Sequence, residues 1–164
     1  METISFYELG KPISDKATGI KGRATHIQLS ADRNPYYLFQ PYGINPETGQ
    51  PVRSQWIDET RVMNGIHKYY EVPIDIIGSS VTDVASGLTG VVTHITIHIG
   101  GCVHCLVQPK GTLKKTGDMI EAVDINIRLL EGKKVPKFTD DEFEAEKKKK
   151  PSPAPVPKLT PHHR

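Results

Sequence analysis

The sequence is poor in the residues that build stapled or reactive proteins. Its 164 residues include two cysteines and one tryptophan. Both cysteines, Cys102 and Cys105, fall in one short stretch. A secreted domain held by disulfides would carry more of them, spread along the chain, so a reducing compartment is the simpler expectation. No apolar run approaches the roughly 20 residues that cross a bilayer, and no membrane association is expected. The opening residues METISFYELG have neither a basic n-region nor an apolar h-region, so no secretory signal is expected. H-E-x-x-H and a phosphate-cradling glycine loop are missing, as is any serine or cysteine nucleophile with a placed base. Nothing here argues for catalysis, and no cofactor is expected.

A concentrated positive charge is also lacking over most of the chain. Residues 1–132 carry 12 Lys/Arg against 14 Asp/Glu, whereas residues 133–164 carry 9 against 5. Nucleic-acid binding draws on a dense basic surface that displaces counterions, which the first 132 residues do not supply on average. Lys147–Lys150 is a basic run, but acids precede it directly and no aromatic interleaves it for base stacking.

What is present is a repeat. The stretch 9–49 lies over 77–117 at a constant offset of 68, with 14 identities in 41 ungapped pairs. The identities include Gly10/Gly78, Asp15/Asp83, Gly19/Gly87, Gly22/Gly90, Thr25-His26-Ile27/Thr93-His94-Ile95 and Gln40-Pro41/Gln108-Pro109. The division that follows is an arm at 1–8, a first unit at 9–64, a buried connector at 65–76, a second unit at 77–132 and a charged, Pro-rich tail at 133–164. Units near 56 residues are marginal alone, so the copies are expected to pack on each other or on other subunits.

Both units read as all-β. Gly22–Leu29 and Thr93–Ile99 alternate with period two, and glycine-bearing turns punctuate the short apolar runs. The expected fold is a tandem of small Src-homology-three or Tudor-like β-barrels, with a small open sandwich formed jointly by both copies as the alternative. Ile4, Phe6 and Tyr7 make the N-terminal arm either an edge strand docked on a neighbour or a loose terminus. Ile66, Tyr69, Tyr70, Val72, Ile74 and Ile76 make the connector too apolar for a free linker. In the tail, Thr139–Glu142 has capping-box spacing before a short helix with a Glu146–Lys150 pair. Five prolines between Pro151 and Pro161 then impose extended chain, either solvated or threading over a neighbouring subunit.

The pattern Gly10, Asp15, Thr18-Gly19-Ile20, Gly22, Thr25, Gln40-Pro41, then Trp56-Ile57-Asp58-Glu59 and Arg61 resembles short proteins of unassigned function in tailed-bacteriophage genomes. Those read G-x-x-V-x-D-x-x-T-G-F-x-G, then Gly-Cys and Q-P, then W-F-D-E-x-R-L. The second unit has Gly101-Cys102 and Gln108-Pro109 but carries Asp124-Ile125-Asn126 in place of the Trp-Asp-Glu motif; the first lacks the Gly-Cys. The resemblance implies a viral origin and a small β-barrel, and brings no catalytic residue to carry over.

The stretch HITIHIGGCVHC raises a metal question. With Gly100-Gly101 as a two-residue turn, Ile99 faces Cys102, and His94, His98 and Cys105 share one face as candidate zinc ligands. Against it, Cys102 and Cys105 point to opposite faces of a regular strand, and the first unit repeats His26 but offers no cysteine. The favoured reading has Cys102 in the core, Cys105 half-exposed, and His26 and His94 packed beside turns. Asp58 and Glu59, as neighbours on a strand, face opposite ways and form no carboxylate pair.

The expected role is a non-enzymatic structural protein of a phage particle, present in multiple copies or as a homo-oligomer on a capsid, neck or tail lattice. It would be assembled in the bacterial cytoplasm and held through its barrels and arms. The expected contact anchors are Trp56, Tyr36, Tyr37, Tyr42, Tyr69, Tyr70, Phe6 and Tyr7, large side chains that are cheap to order. The alternative is a cytoplasmic module that grips a host protein or nucleic acid.

Overall fold

The computed structural model describes residues 1–138; the expectations for the capping box, the Lys147–Lys150 run and the Pro-rich stretch lie outside the described residues. The chain is all-β. In order it forms β1 (Glu2–Tyr7), β2 (Pro12–Asp15), β3 (Lys21–Leu29), β4 (Tyr36–Pro41), β5 (Gln55–Asp58), β6 (Val62–Met63), β7 (His67–Val72), β8 (Ser80–Asp83), β9 (Thr89–His98), β10 (Val103–Pro109), β11 (Val123–Asn126) and β12 (Leu130–Glu131). Short 3-10 turns occupy Glu59–Arg61, Ile74–Ile76 and Ile127–Leu129. No helix among the described residues is long and apolar enough to cross a membrane.

Ten strands share one hydrogen-bonded sheet. In the first unit β5, β4, β3, β2 and β6 are neighbours in that order; in the second, β11, β10, β9, β8 and β12 are. The units join where β3 pairs antiparallel with β9. No closed barrel forms among the described residues: the pairings of β5 and β11 leave each with one paired edge. Of the two expectations for residues 1–8, the strand is the one found, and its neighbour is the connector: β1 pairs along its whole length with β7.

Local chemistry explains the turns. Asp15 accepts from the Ala17 amide and the Thr18 hydroxyl while the Gly19 amide donates to its carbonyl. Asp83 does the same with Ala85, Ser86 and Gly87. The glycine closing each turn has a positive φ, 72° and 78°, which a side chain resists. Gln40 and Gln108 each pin the loop after their strand, donating 2.6 Å to the Val52 and Ile120 carbonyls.

One core runs under both units. Ile27, Leu29, Tyr37, Ile57, Ile95, Ile97, Cys105 and Ile125 point to the inner face, where Phe6, Val72, Ile74 and Ile76 join them. Each fully buried aliphatic side chain of this kind stabilises by about 1.5–3 kcal/mol. The connector expectation therefore divides: Val72, Ile74 and Ile76 are buried, whereas Ile66 and Tyr69 are exposed.

Candidate functional site

The opposite face of the central strands β5-β4-β3-β9-β10-β11 is the candidate site. Register sets its residues in three rows. One row is Trp56, Leu38, His26 and His98. The next is Asp58, Tyr36, Gln28, Thr96, His104 and Asn126. The third holds His94, Leu106 and Asp124. Trp56 and Tyr36, on adjacent strands, are 44% and 43% exposed.

A bulge aims the histidines. The β3–β4 register shifts between Ala24 and His26, and Val92 and His94 face consecutive residues of β10, so Thr25 and Thr93 are the unpaired residues. Thr25 donates to the Leu38 carbonyl and Thr93 to the Leu106 carbonyl. Each hydroxyl also lies beside the Nδ1 of the following histidine, at 2.8 Å for His26 and 3.0 Å for His94. The repeated Thr-His-Ile was the sequence signal for this device; both histidines sit on a bulged strand rather than beside a turn.

Three imidazoles from three strands form one column, edge-on between His26 and His98 and tilted between His98 and His104. The rings of His26 and His98 are 4.2 Å apart, those of His98 and His104 4.5 Å, and Trp56 lies edge-on to His26 at 6.3 Å. His104 Nδ1 is 2.8 Å from Asp124 Oδ2. Partial burial lowers His26 from its ordinary value, reinforced by His104 and opposed by Asp124. Burial likewise lowers His98, with His26 and His104 adding to the effect.

The trio weighed as zinc ligands, and the favoured placement of Cys102 in the core with Cys105 half-exposed, are both undone by register. Val103 faces Ile97 and Cys105 faces Ile95, one residue away from the pairing that a two-residue turn imposes. The loop holds three residues, Ile99, Gly100 and Gly101. The His98 amide donates to the Cys102 carbonyl, and Gly101 sits at φ 86°. A one-residue slip moves every side chain to the other face. Cys105 therefore enters the core, fully buried, away from His94 and His98, and Cys102 is the exposed cysteine. Burial pushes the Cys105 thiol up to about 12, with Asp124 adding to it. Among the described residues no group of three or more His, Cys, Asp or Glu is placed to hold a metal ion.

Two expected contact anchors are core residues instead. Tyr37 is 0% exposed: it faces Ile27 and Ile57 on the inner side, and its phenol oxygen accepts from the Tyr7 amide at 3.1 Å. Phe6 is 2% exposed and its ring lies 6.0 Å from that of Tyr70. Burial raises the Tyr37 hydroxyl above its ordinary range. Tyr7 and Tyr70 are half-buried, and Tyr70 accepts from the Leu9 amide. Tyr42 is exposed with the Arg23 guanidinium over its ring, and Tyr69 is exposed on β7. Of the eight, Trp56 and Tyr36 are the pair that the sheet face brings together.

The Trp56–Arg61 motif is scaffolding around that pair. Ile57 is core, the Asp58 carboxylate accepts from the Thr60 amide to cap the 3-10 turn, and Arg61 reaches Asp15 with two bonds of 2.9 and 2.6 Å. Asn126 caps the matching turn in the second unit. Asp58 and Glu59 line a shallow cleft of about 270 Å3 with Asn34, Pro35, Tyr36 and Thr60. No family model, curated protein or solved structure matches this chain.

Proposed function

We propose that this chain is a non-enzymatic structural protein of a tailed-phage particle, binding a repeated protein lattice of the capsid, neck or tail. Its two units are read as copies of one Src-homology-three or Tudor-type module. The five-strand order within each unit, with a 3-10 turn before a short last strand, supports that reading as fold analogy. The carrying observation is the pair Trp56 and Tyr36, both substantially exposed on a sheet face to which both units contribute.

Large aromatics of this kind anchor protein interfaces because they bury much area for little rotamer entropy. The shared sheet supports the reading as well. Strands locked edge to edge present one surface, so a partner needs no ordering of two separate modules before it binds. At the two ends, β5 and β11 offer backbone groups to which a neighbour's strand can add.

Mass spectrometry of purified particles tests the proposal, with Trp56→Ala as the paired variant. The proposal expects the chain in the particle at a fixed copy number, reduced by the substitution. A chain found only free in infected-cell lysate overturns it. A mobility shift with nucleic acid that falls steeply with salt would favour the regulatory module instead.

A further inference from the structure

We infer that the β3–β9 seam is a proton-operated joint, closed while the His26–His98–His104 stack is neutral and loosened when the stack gains charge. This inference does not depend on the proposed virion role. The strand pairing between the units is four residues long, His26 with His98, Ile27 with Ile97, Gln28 with Thr96, and Leu29 with Ile95, and the Ile99 amide extends it by donating to the Thr25 carbonyl. One of those four pairs is two imidazoles directly opposite each other with rings 4.2 Å apart, and the third ring stands 4.5 Å beyond. Like charges at opposite positions of an antiparallel pair repel and destabilise it.

The surroundings do little to compensate. From β11, Asp124 touches His104 at 2.8 Å, and its charge also opposes, as the smallest of the influences on each, the lowering of His26 and His98. From β3, Thr25 meets His26 Nδ1, and from β5 the Trp56 edge covers that ring. His94 lies four residues before His98 on the same face, and Asp58 on β5 is committed to capping its turn. On the other side His98 borders a cleft of about 240 Å3 that holds Glu8, Lys68 and Glu71. Lys68 stands 3.8 Å from Glu8, and Glu71 accepts from Thr3. A single stack contact with a carboxylate can balance one proton, not two.

The direction of the histidine shifts agrees. His26 and His98 lie below 6.5 in the folded chain, so the unfolded or opened chain binds more protons as pH falls through that value. The stability they contribute is complete above about pH 6.5 and declines below it, within the range of a histidine switch.

The test is amide hydrogen exchange on the full chain at about pH 7.5 and about pH 5, corrected for intrinsic rates, with an NMR titration of the histidines. Protection of Ile27, Leu29, Ile95 and Ile97 is expected to fall severalfold at the lower pH, while Tyr37 and Ile57 in β4 and β5 hold theirs. His98→Gln, neutral at both values, is expected to keep the seam protected. His26→Gln serves as the second variant and is expected to raise the His98 midpoint. Seam protection that does not change with pH, or the same loss in both variants, overturns the inference.

Discussion

Gln28 stands opposite Thr96, its own counterpart 68 residues further along, and its side-chain amide donates to the Thr96 hydroxyl at 3.3 Å. When equivalent positions of two antiparallel strands face each other, a local twofold passes between them. Ile27 opposite Ile97 then maps onto Ile95 opposite Leu29, and all four are buried. The histidine pair breaks the relation: His26 and His98 map onto His94 and Ser30. Trp56 maps onto Asp124 and His104 onto Tyr36. Around one axis the two units thus place different chemistry on a shared scaffold.

Thiol reactivity checks the hairpin register. Cys105 is buried with its thiol pushed up to about 12, whereas Cys102 is exposed. One thiol of the two should react with an aromatic disulfide reagent near pH 8 in the native protein, and both in denaturant. Rapid native labelling of both would contradict the three-residue loop.

Gly22 and Gly90 should resist replacement by alanine for reasons of space. A Cβ would stand 2.2 Å from the Gln40 carbonyl oxygen at Gly22, and 2.5 Å from that of Gln108 at Gly90. Backbone cannot swing aside as a side-chain tip can. Each substitution is expected to cost about 3 kcal/mol by denaturant unfolding, the upper end for overpacking. Gly49→Ala and Gly117→Ala, with open space around them and only a positive φ to strain, should cost about 1–2 kcal/mol.

Acid stability should depend on Asp15. The two bonds from Arg61 hold its carboxyl well below the usual carboxylate range despite burial, which works the other way. A depressed folded value contributes stability above the unfolded value near 3.8, and loses it as pH falls through that value toward the folded one. Asp15→Asn should cost about 2 kcal/mol at neutral pH, the scale of a hydrogen bond to a charged group, and flatten the acid limb of the stability profile. Urea midpoints measured from about pH 7 to about pH 2 give the answer; an unchanged acid limb would disprove the assignment.

Trp56→Ala and Tyr36→Ala should separate binding from folding. Both rings are more than two-fifths exposed, so each substitution should cost about 1–2 kcal/mol, well short of the loss for a core aromatic and small enough to leave the chain folded. Cosedimentation with purified particles should nevertheless weaken at least tenfold, the scale of an anchor residue worth more than about 1.4 kcal/mol. A variant that binds as well as the parent excludes this face as the contact.

Much of this was legible in the letters because its causes are local. The turn at Asp15–Gly19 and its match at Asp83–Gly87 need only a short acceptor, a hydroxyl and a glycine at fixed spacing. The alternation of Thr93–Ile99 states a half-buried strand without reference to any neighbour. The hairpin that follows was read one residue out. Gly100-Gly101 suits a two-residue turn as well as a three-residue loop, and the difference exchanged the two cysteines, putting Cys105 in the core and Cys102 outside. Tyr37 and Phe6 show the same limit, since a tyrosine or phenylalanine serves a core as readily as an interface.

The sequence by itself determined an all-β chain with matched stretches, their turn glycines and their Thr-His-Ile strands, because strand periodicity and turn conformation are properties of a few adjacent residues. Tertiary structure alone decided which side of β10 holds its cysteine, that β1 folds onto β7, and that His26 meets His98. Those depend on which edges pair and in what register, and burial of one shared core, rather than any local preference, selects among the options.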